Sequence, residues 1–397
     1  MVHQSEMENY NIGQASIEEV SDPVGQASIE EVSDPAYKGA KIVVIGVGGG
    51  GSNMIKHLVE YGVHQDVTPI ATNTDGQHLK NNPAPVKILL GKESTGGLGA
   101  GGVPDIGRKA AEESANEIRE AIKDAKLVIV STGLGGGTGT GATPTIVKIA
   151  KEVGALTIAI VTKPFKYEGN QKRKRAEEGL KELEQSSDSI LVIPNDKILL
   201  TMKKNASTTE CYREVDDVLV RAVSGISTII TKPGNINVDF ADLKSALGFK
   251  GFALMGIGEA TGEDSAKLAV QNAIQSPLLD DASIEGAKSI IVFFEHHPDY
   301  PMMAYSQACD FIQDQAHQDV DVKFGQHTSG NIPIDHVRVT IIATGSERNS
   351  NGASLESIAT PSQPVVKPTR KVGNGEYLRI PTEEELSIPT TIRIQQD

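Results

Sequence analysis

Cysteine is scarce in these 397 residues: Cys211 and Cys309 are the only two, and their spacing fits neither a metal site nor a redox pair. A disulfide framework is excluded, and a reducing compartment, the cytoplasm, is expected. Long hydrophobic runs are missing as well. No stretch approaches the roughly 20 apolar residues that cross a bilayer, and the N-terminal residues are acidic where a secretory signal is basic. Membrane contact is therefore expected through a partner, with no direct insertion. Positive charge is in deficit too: 38 Lys and Arg stand against 52 Asp and Glu, for a net charge of −14. That balance argues against nonspecific binding to nucleic acid or to an anionic lipid surface. The P-loop pattern G-x-x-x-x-G-K-[ST] is absent, and Gly91-Lys92-Glu93-Ser94 offers only a fragment of it, which removes the P-loop NTPases.

A hydrophobic content of 38% is enough for sizeable cores, and the length suits two or three domains. Residues 1–38 read as a disordered acidic leader. GQASIEEVSDP occurs at 13–23 and again at 25–35, and the leader's eight acids against Lys38 carry half of the net charge. From Lys41 to about Asn195, short β-rich runs (KIVVIGV, TPIATNT, LVIVST, LTIAIVT, SILVIPN) alternate with segments of helical period such as Asp105 to Lys123. Such alternation predicts an α/β fold with a parallel sheet covered by helices on both faces. Thr209 to Ile230 reads as one long helix with an apolar stripe through Val215, Leu219, Ala222 and Ile226. The expected architecture is a Rossmann-like nucleotide domain over 39–230, including this central helix, joined to a smaller α/β C-terminal domain over 231–345. Beyond it, 346–376 has the composition of a linker, and 377–397 regains Ile, Leu and Pro, as a partner-binding peptide does.

The chemistry concentrates in glycine loops. GGGTGTG, Gly135 to Gly141, follows the run Leu127 to Val130 and precedes a helical pattern with Pro144 near its start. Glycine lets successive backbone N–H groups converge on an anion, and a helix opening there aims its N-terminal dipole at the same place. GVGGGGSN follows the first strand, and Gly46, Gly48 and Gly51 also satisfy G-x-G-x-x-G, with Asp75 about 24 residues later. An NAD-dependent oxidoreductase is therefore a competing reading. Against it, STGGLGAGG (Ser94 to Gly102) adds a third loop, so that three loops converging at one sheet edge offer more backbone than a single pyrophosphate requires.

Taken together, GVGGGGSN, ATNTD, GGLGAGG, GGGTGTG, KPFKYEG, IPND, a helix bearing Tyr212 to Asp216, and NVDFAD resemble the tubulin/FtsZ superfamily, most closely its bacterial division-ring GTPases. The match runs from about Lys41 to Thr344. The resemblance implies a GTP-binding, GTP-hydrolysing protein of cell division and septation, with GTP or GDP and Mg²⁺ as cofactors. It implies head-to-tail self-association into filaments and a place in the midcell ring. Ile388-Pro389-Thr390-Thr391-Ile392-Arg393 resembles the family's tail, which binds division proteins and a membrane-tethering adaptor, with threonine where an aromatic often follows Pro-Thr.

Residue by residue, the resemblance puts Gly49, Gly50, Gly51, Ser52 and Asn53 on the nucleotide, and Gly137, Thr138 and Gly139 on its phosphates. Glu168 matches the ribose contact. Lys172 stands where the family usually has arginine, keeping the charge without the bidentate fork; it also reads as one member of the solvated run Lys172 to Arg175. Asn195 and Asp216 match the base-reading positions, and Tyr212 the aromatic that stacks on the base. A carboxylate accepts from both N1–H and the exocyclic amine of guanine, whereas adenine has an acceptor at N1. Without that context, Tyr212 reads as core and Asp216 as a surface acid. Asn237, Asp239 and Asp242 match the catalytic loop. That loop follows the central helix and belongs at the far end from the glycine loops, so it is expected to enter the nucleotide site of the next subunit, where the acids orient and polarise water. On spacing alone the two acids read equally well as helix caps, and a noncatalytic GTP-binding scaffold is the matching alternative function.

Overall fold

The computed structural model describes residues 40–231, 236, 238–249, 252–276, 279, 286–317 and 319–346, with the backbone of 370–371 and 377–378. The strands are β1 (Ile42–Val47), β2 (Val67–Asn73), β3 (Val86–Leu89), β4 (Leu127–Gly133), β5 (Leu156–Lys163), β6 (Ser189–Pro194), β7 (Phe252–Thr261), β8 (Ser289–His296), β9 (Asp321–Thr328) and β10 (His336–Ser346). The helices are α1 (Gly48–Tyr61), α2 (Gly76–Lys80), α3 (Lys92–Thr95), α4 (Pro104–Glu113), α5 (Ala115–Ala121), α6 (Thr138–Glu152), α7 (Asn170–Ser186), α8 (Asn195–Leu199), α9 (Thr208–Thr231), α10 (Phe240–Leu247), α11 (Ser265–Ile274) and α12 (Met302–Gln315).

All ten strands form one sheet in the order β3-β2-β1-β4-β5-β6-β7-β10-β8-β9. From β3 through β7 every pairing is parallel. β10 runs antiparallel to both β7 and β8, and β9 is parallel to β8. The predicted two halves thus share a sheet, joined where Ile190 and Leu191 of β6 pair with Phe252 and Ala253 of β7. β9 and β10, neighbours in sequence, are separated by β8 in the sheet.

Alternation along the strands sorts side chains between two layers. In β1, Ile42 and Val44 pack with Met54, Ile55 and Leu58 of α1 and the stripe of α9. Val43, Ile45 and Val47 pack with α4 to α7 on the opposite face. Both faces are therefore buried, the condition under which a parallel strand is apolar at every position, as β1 is. α9 buries Val215, Val218, Leu219, Ala222, Val223, Ile226 and Ile229, the spacing that makes a stripe along one side of a helix. A separate cluster holds α11 and α12 against β8 and β10. Residues 105–123, expected as one helix, divide into α4 and α5 at Ser114, which leaves helical geometry with ψ 12. The leader, most of the linker and most of the C-terminal peptide lie outside the described residues. The unit over 348–397 is described only as a two-stranded antiparallel pair, Arg370–Lys371 with Tyr377–Leu378.

Candidate nucleotide-binding site

In a sheet ordered 3-2-1-4-5, the chain leaves β1 towards one side and β4 towards the other, so a crevice opens between the loops at their C-terminal ends. A cavity of about 430 Å³ occupies that place, a size within the range of small-molecule sites. Its lining includes Gly49, Gly50, Asn53, Gly137, Thr138, Gly139, Glu168, Lys172, Asn195, Tyr212 and Asp216.

Backbone donors form one end. Neither α1 nor α6 has a side-chain cap, so the first N–H groups of two helices remain for an anion, with both dipoles behind them. Close approach of the two loops demands glycine. Gly48 has φ +71°, and a Cβ there would lie 2.9 Å from the Gly139 nitrogen; a Cβ on Gly139 would collide with Thr132 Oγ1 and the Gly133 carbonyl oxygen. Gly49 and Gly136 face open space. Thr138 is held from behind by an Oγ1–Oγ1 hydrogen bond of 2.6 Å with Thr74.

Gly51 and Ser52 do not line the cavity. α1 begins at Gly48, so helical period turns Gly49, Gly50 and Asn53 outward and the next two residues inward. A Cβ on Gly51 would meet the Ser131 carbonyl oxygen, and Ser52 is buried with its hydroxyl donating to the Thr72 carbonyl at 3.4 Å. The third glycine loop also stands behind the wall, where a Cβ on Gly137 would lie 2.8 Å from Val103 N and 2.9 Å from Ala100 Cβ.

The other end presents acceptors. Asn195, where β6 passes into α8, is buried with an Oδ1 that has no hydrogen-bond partner. Asp216 of α9 lines the same cavity, and burial together with the neighbouring Asp217 carboxylate pushes its pKa up to about 7. An unpaired buried amide oxygen and an underhydrated carboxyl are costly unless a ligand brings N–H groups to them. Tyr212, one turn before Asp216, is set edge-on to Phe165 at 5.3 Å, and its hydroxyl accepts a 3.0 Å bond from Tyr167. Between the ends, Glu168 accepts from Phe165 N at 2.9 Å and from Lys172 Nζ at 2.9 Å. Gly133, Leu134, Gly136, Thr162, Pro164, Val215 and Leu219 complete the lining. The rule that ligands sit at strand C-terminal ends singles out Thr162, near the end of β5, and Pro164 just after it, and the stripe of α9 contains Val215 and Leu219.

Asp239 and Asp242 stand elsewhere. Asp239 caps α10, its Oδ1 accepting from Asp242 N at 2.6 Å, while Asp242 Oδ2 accepts from Asp239 N at 3.4 Å. Lys323 Nζ donates to Asp242 Oδ1 at 2.8 Å, and that pairing chiefly holds the Asp242 carboxyl below its usual range. α10 ends beside the start of β7, where Thr344 Oγ1 donates to the Ala246 carbonyl at 2.6 Å. Because β7 runs parallel to β6, this is the sheet edge opposite the cavity. Asn237 lies outside the described residues. Among the described residues no three His, Cys, Asp or Glu side chains gather to hold a metal ion. A second cavity, about 140 Å³, lies between α1, α9 and β10; its Arg338 is paired with Glu259 and Glu295, and it has no comparable array of backbone donors.

Helix N-termini converging at the switch point, with a carboxyl and an amide lining the same cavity, define a nucleotide-binding α/β protein of the tubulin type. The model of the Tubulin/FtsZ family GTPase domain matches residues 41–203, and that of the FtsZ family C-terminal domain matches 251–347. The cell division protein FtsZ of Helicobacter pylori strain J99 is 96% identical over 397 residues, the whole of both chains. That of strain 26695 is 94% identical over the same span. Among solved structures, an empty FtsZ dimer from M. jannaschii superposes with a TM-score of 0.72 at 42% identity, covering 78% of this chain and 89% of that one. The chain belongs to the FtsZ family and carries its GTPase domain.

Proposed function

We propose that the protein binds GTP in this cavity, assembles head to tail, and hydrolyses GTP at sites completed by the next subunit of a division-ring filament. The observation that carries the reading is the division of labour across the sheet: donors and acceptors for a nucleotide at one edge, Asp239 and Asp242 at the other. Carboxylates on the far edge cannot reach a phosphate bound in their own chain. A heterologous contact that stacks one edge on the other brings them together and, because it does not close, produces a filament. The M. jannaschii FtsZ structure, itself a dimer, supports association between copies.

In this reading Gly49, Gly50, Gly137, Thr138 and Gly139 hold the phosphates, while Gly51 and Ser52, whose N–H groups fall within the ladder of α1, support the helix terminus from behind. Glu168 accepts from the ribose. Lys172, paired with Glu168 in the ligand-free chain, supplies charge beside the phosphates. Asn195 and Asp216 read guanine, and Tyr212 packs on its face. Mg²⁺ would be carried by the phosphate oxygens and neutralise charge there. Asp242, held ionised by Lys323, suits orienting and polarising water better than taking its proton outright; Asp239 and Asn237 complete that group. The remaining elements are a nucleotide domain over 39–230, a C-terminal domain over 231–345, and a tail over 377–397 that binds division partners and a membrane-tethering adaptor at midcell. Sedimentation with GTP against GDP, paired with phosphate release over a range of protein concentrations, tests the assembly. Turnover per subunit should fall on dilution through the assembly threshold, and constant turnover would sink the shared site.

A further inference from the structure

The cavity residue Asn53 is tied to a relay that lies outside the lining. His78 of α2 sits between two amides: its Nδ1 is 3.2 Å from Asn73 Nδ2, and its Nε2 is 3.2 Å from Asn53 Oδ1. Asn73 Oδ1 in turn receives the backbone N–H of Asp75 at 3.3 Å. A backbone N–H can only donate, and this fixes the polarity of every later link. Asn73 must present its oxygen to Asp75, so it offers its amino group to His78. His78 Nδ1 must then accept, which places the ring proton on Nε2. Nε2–H donates to Asn53 Oδ1, and the group left on Asn53 is its NH₂, a donor.

We infer that His78 is a positioning residue that holds Asn53 with its amide nitrogen free to donate to a nucleotide acceptor in the cavity. The relay is short; its Asn73 end is partly buried while the His78–Asn53 bond is exposed, and it rests on the β2–α2 turn, where Asp75 also accepts from the His78 backbone N–H at 3.0 Å. The orientation matters because an amide has two nearly isosteric ends with opposite function. A free Asn53 samples both, whereas the relay retains only one, so the ligand need not select it. The inference rests on the reading of this cavity as the nucleotide site.

A set of variants tests it through the affinity for GDP, measured by competition with a fluorescent GDP analogue on nucleotide-stripped protein. His78→Ala keeps the backbone bond to Asp75 and removes the relay, and should weaken binding about three- to tenfold, the range of one neutral hydrogen bond. His78→Gln provides an amide oxygen towards Asn73 and an amide nitrogen towards Asn53, and should restore affinity to within about twofold of the native protein. In the double-mutant cycle, Asn53→Ala with His78→Ala should bind no more weakly than Asn53→Ala alone, because the histidine acts only through that asparagine. Native affinity in His78→Ala, no rescue by glutamine, or losses that multiply in the double variant would each overturn the relay. Asp216→Ala is the control for the cavity itself: GDP affinity unchanged in that variant overturns the site reading, whereas a large loss there with native binding in His78→Ala overturns only the relay.

Discussion

Replacing Asp216 by asparagine should move stability and binding in opposite directions. In the ligand-free chain, burial and Asp217 push the Asp216 pKa up to about 7, whereas an aspartate in the unfolded chain titrates near 4. The native state therefore holds this proton more tightly than the unfolded state does. The cost of ionising the group is absent below pH about 4, grows as pH rises, and is complete above about 7, on the order of 4 kcal/mol at most. An amide carries no such cost, so ligand-free Asp216→Asn should have a higher Tm than the native protein at pH 8, with the gap closing towards pH 4. Binding runs the other way. Only the ionised carboxyl accepts from both guanine N–H groups, and about one-tenth of it is ionised at pH 6 against about nine-tenths at pH 8, so native GDP affinity should fall roughly tenfold between them. The asparagine variant should bind GDP about 30- to 1,000-fold more weakly, having lost two charge-assisted bonds and set a donor against the exocyclic amine. It should lack the component of the pH slope that belongs to Asp216, while titration of the phosphates themselves is common to both proteins. Xanthosine diphosphate, with a carbonyl in place of that amine, should recover part of the loss. Thermal melts of stripped protein at pH 5 and 8, with titrations across the same range, decide the matter. A variant that is less stable at pH 8 and keeps the native pH slope would refute the assignment of Asp216 to guanine.

Asp242→Ala should keep GDP affinity within about twofold, since the residue lies at the opposite sheet edge, and lower phosphate release about a hundredfold or more in assembled protein. Loss of nucleotide binding in that variant would instead give Asp242 a role in the fold. Gly139→Ala, whose methyl group would press on Thr132 and on the Gly133 carbonyl, should cost about 1–3 kcal/mol in denaturant unfolding and weaken GDP binding as the two loops separate. Tyr212→Phe gives up the bond to Tyr167 and keeps the ring, so its GDP affinity should stay near native, while Tyr212→Ala should lose about 1–2 kcal/mol of binding in the same titration.

Where one physical signal dominates, the sequence is readable. β1, β4, β5 and β6 are apolar on both faces because helices cover both, and their runs stand out without an alignment. β3 is not legible in the sequence because it is a four-residue edge strand with only Ile88 buried, too short for period and set among Pro83 and Pro85. Continuity of the sheet from β6 into β7 depends on two residue pairs that no local pattern records. The position of Gly51 and Ser52 was within reach: Met54, Ile55 and Leu58 mark the buried side of α1, and Gly51 lies one turn before Ile55. What hid it was the run of four glycines, which has no side chains to show a face. The unpaired Asn195 oxygen and the His78 relay were out of reach, because both depend on partners distant in sequence.

The reciprocal capping of Asp239 and Asp242, closed by Lys323, bears on the economy of the cell. In the proposed shared site these acids work only against a neighbour's nucleotide, yet in an isolated chain they are engaged in holding the start of α10. On that proposal a free subunit would be a sound resting form, with these acids satisfied and its own nucleotide out of their reach. A reservoir of such subunits would stay charged between rounds of division and consume GTP only where a filament has been built.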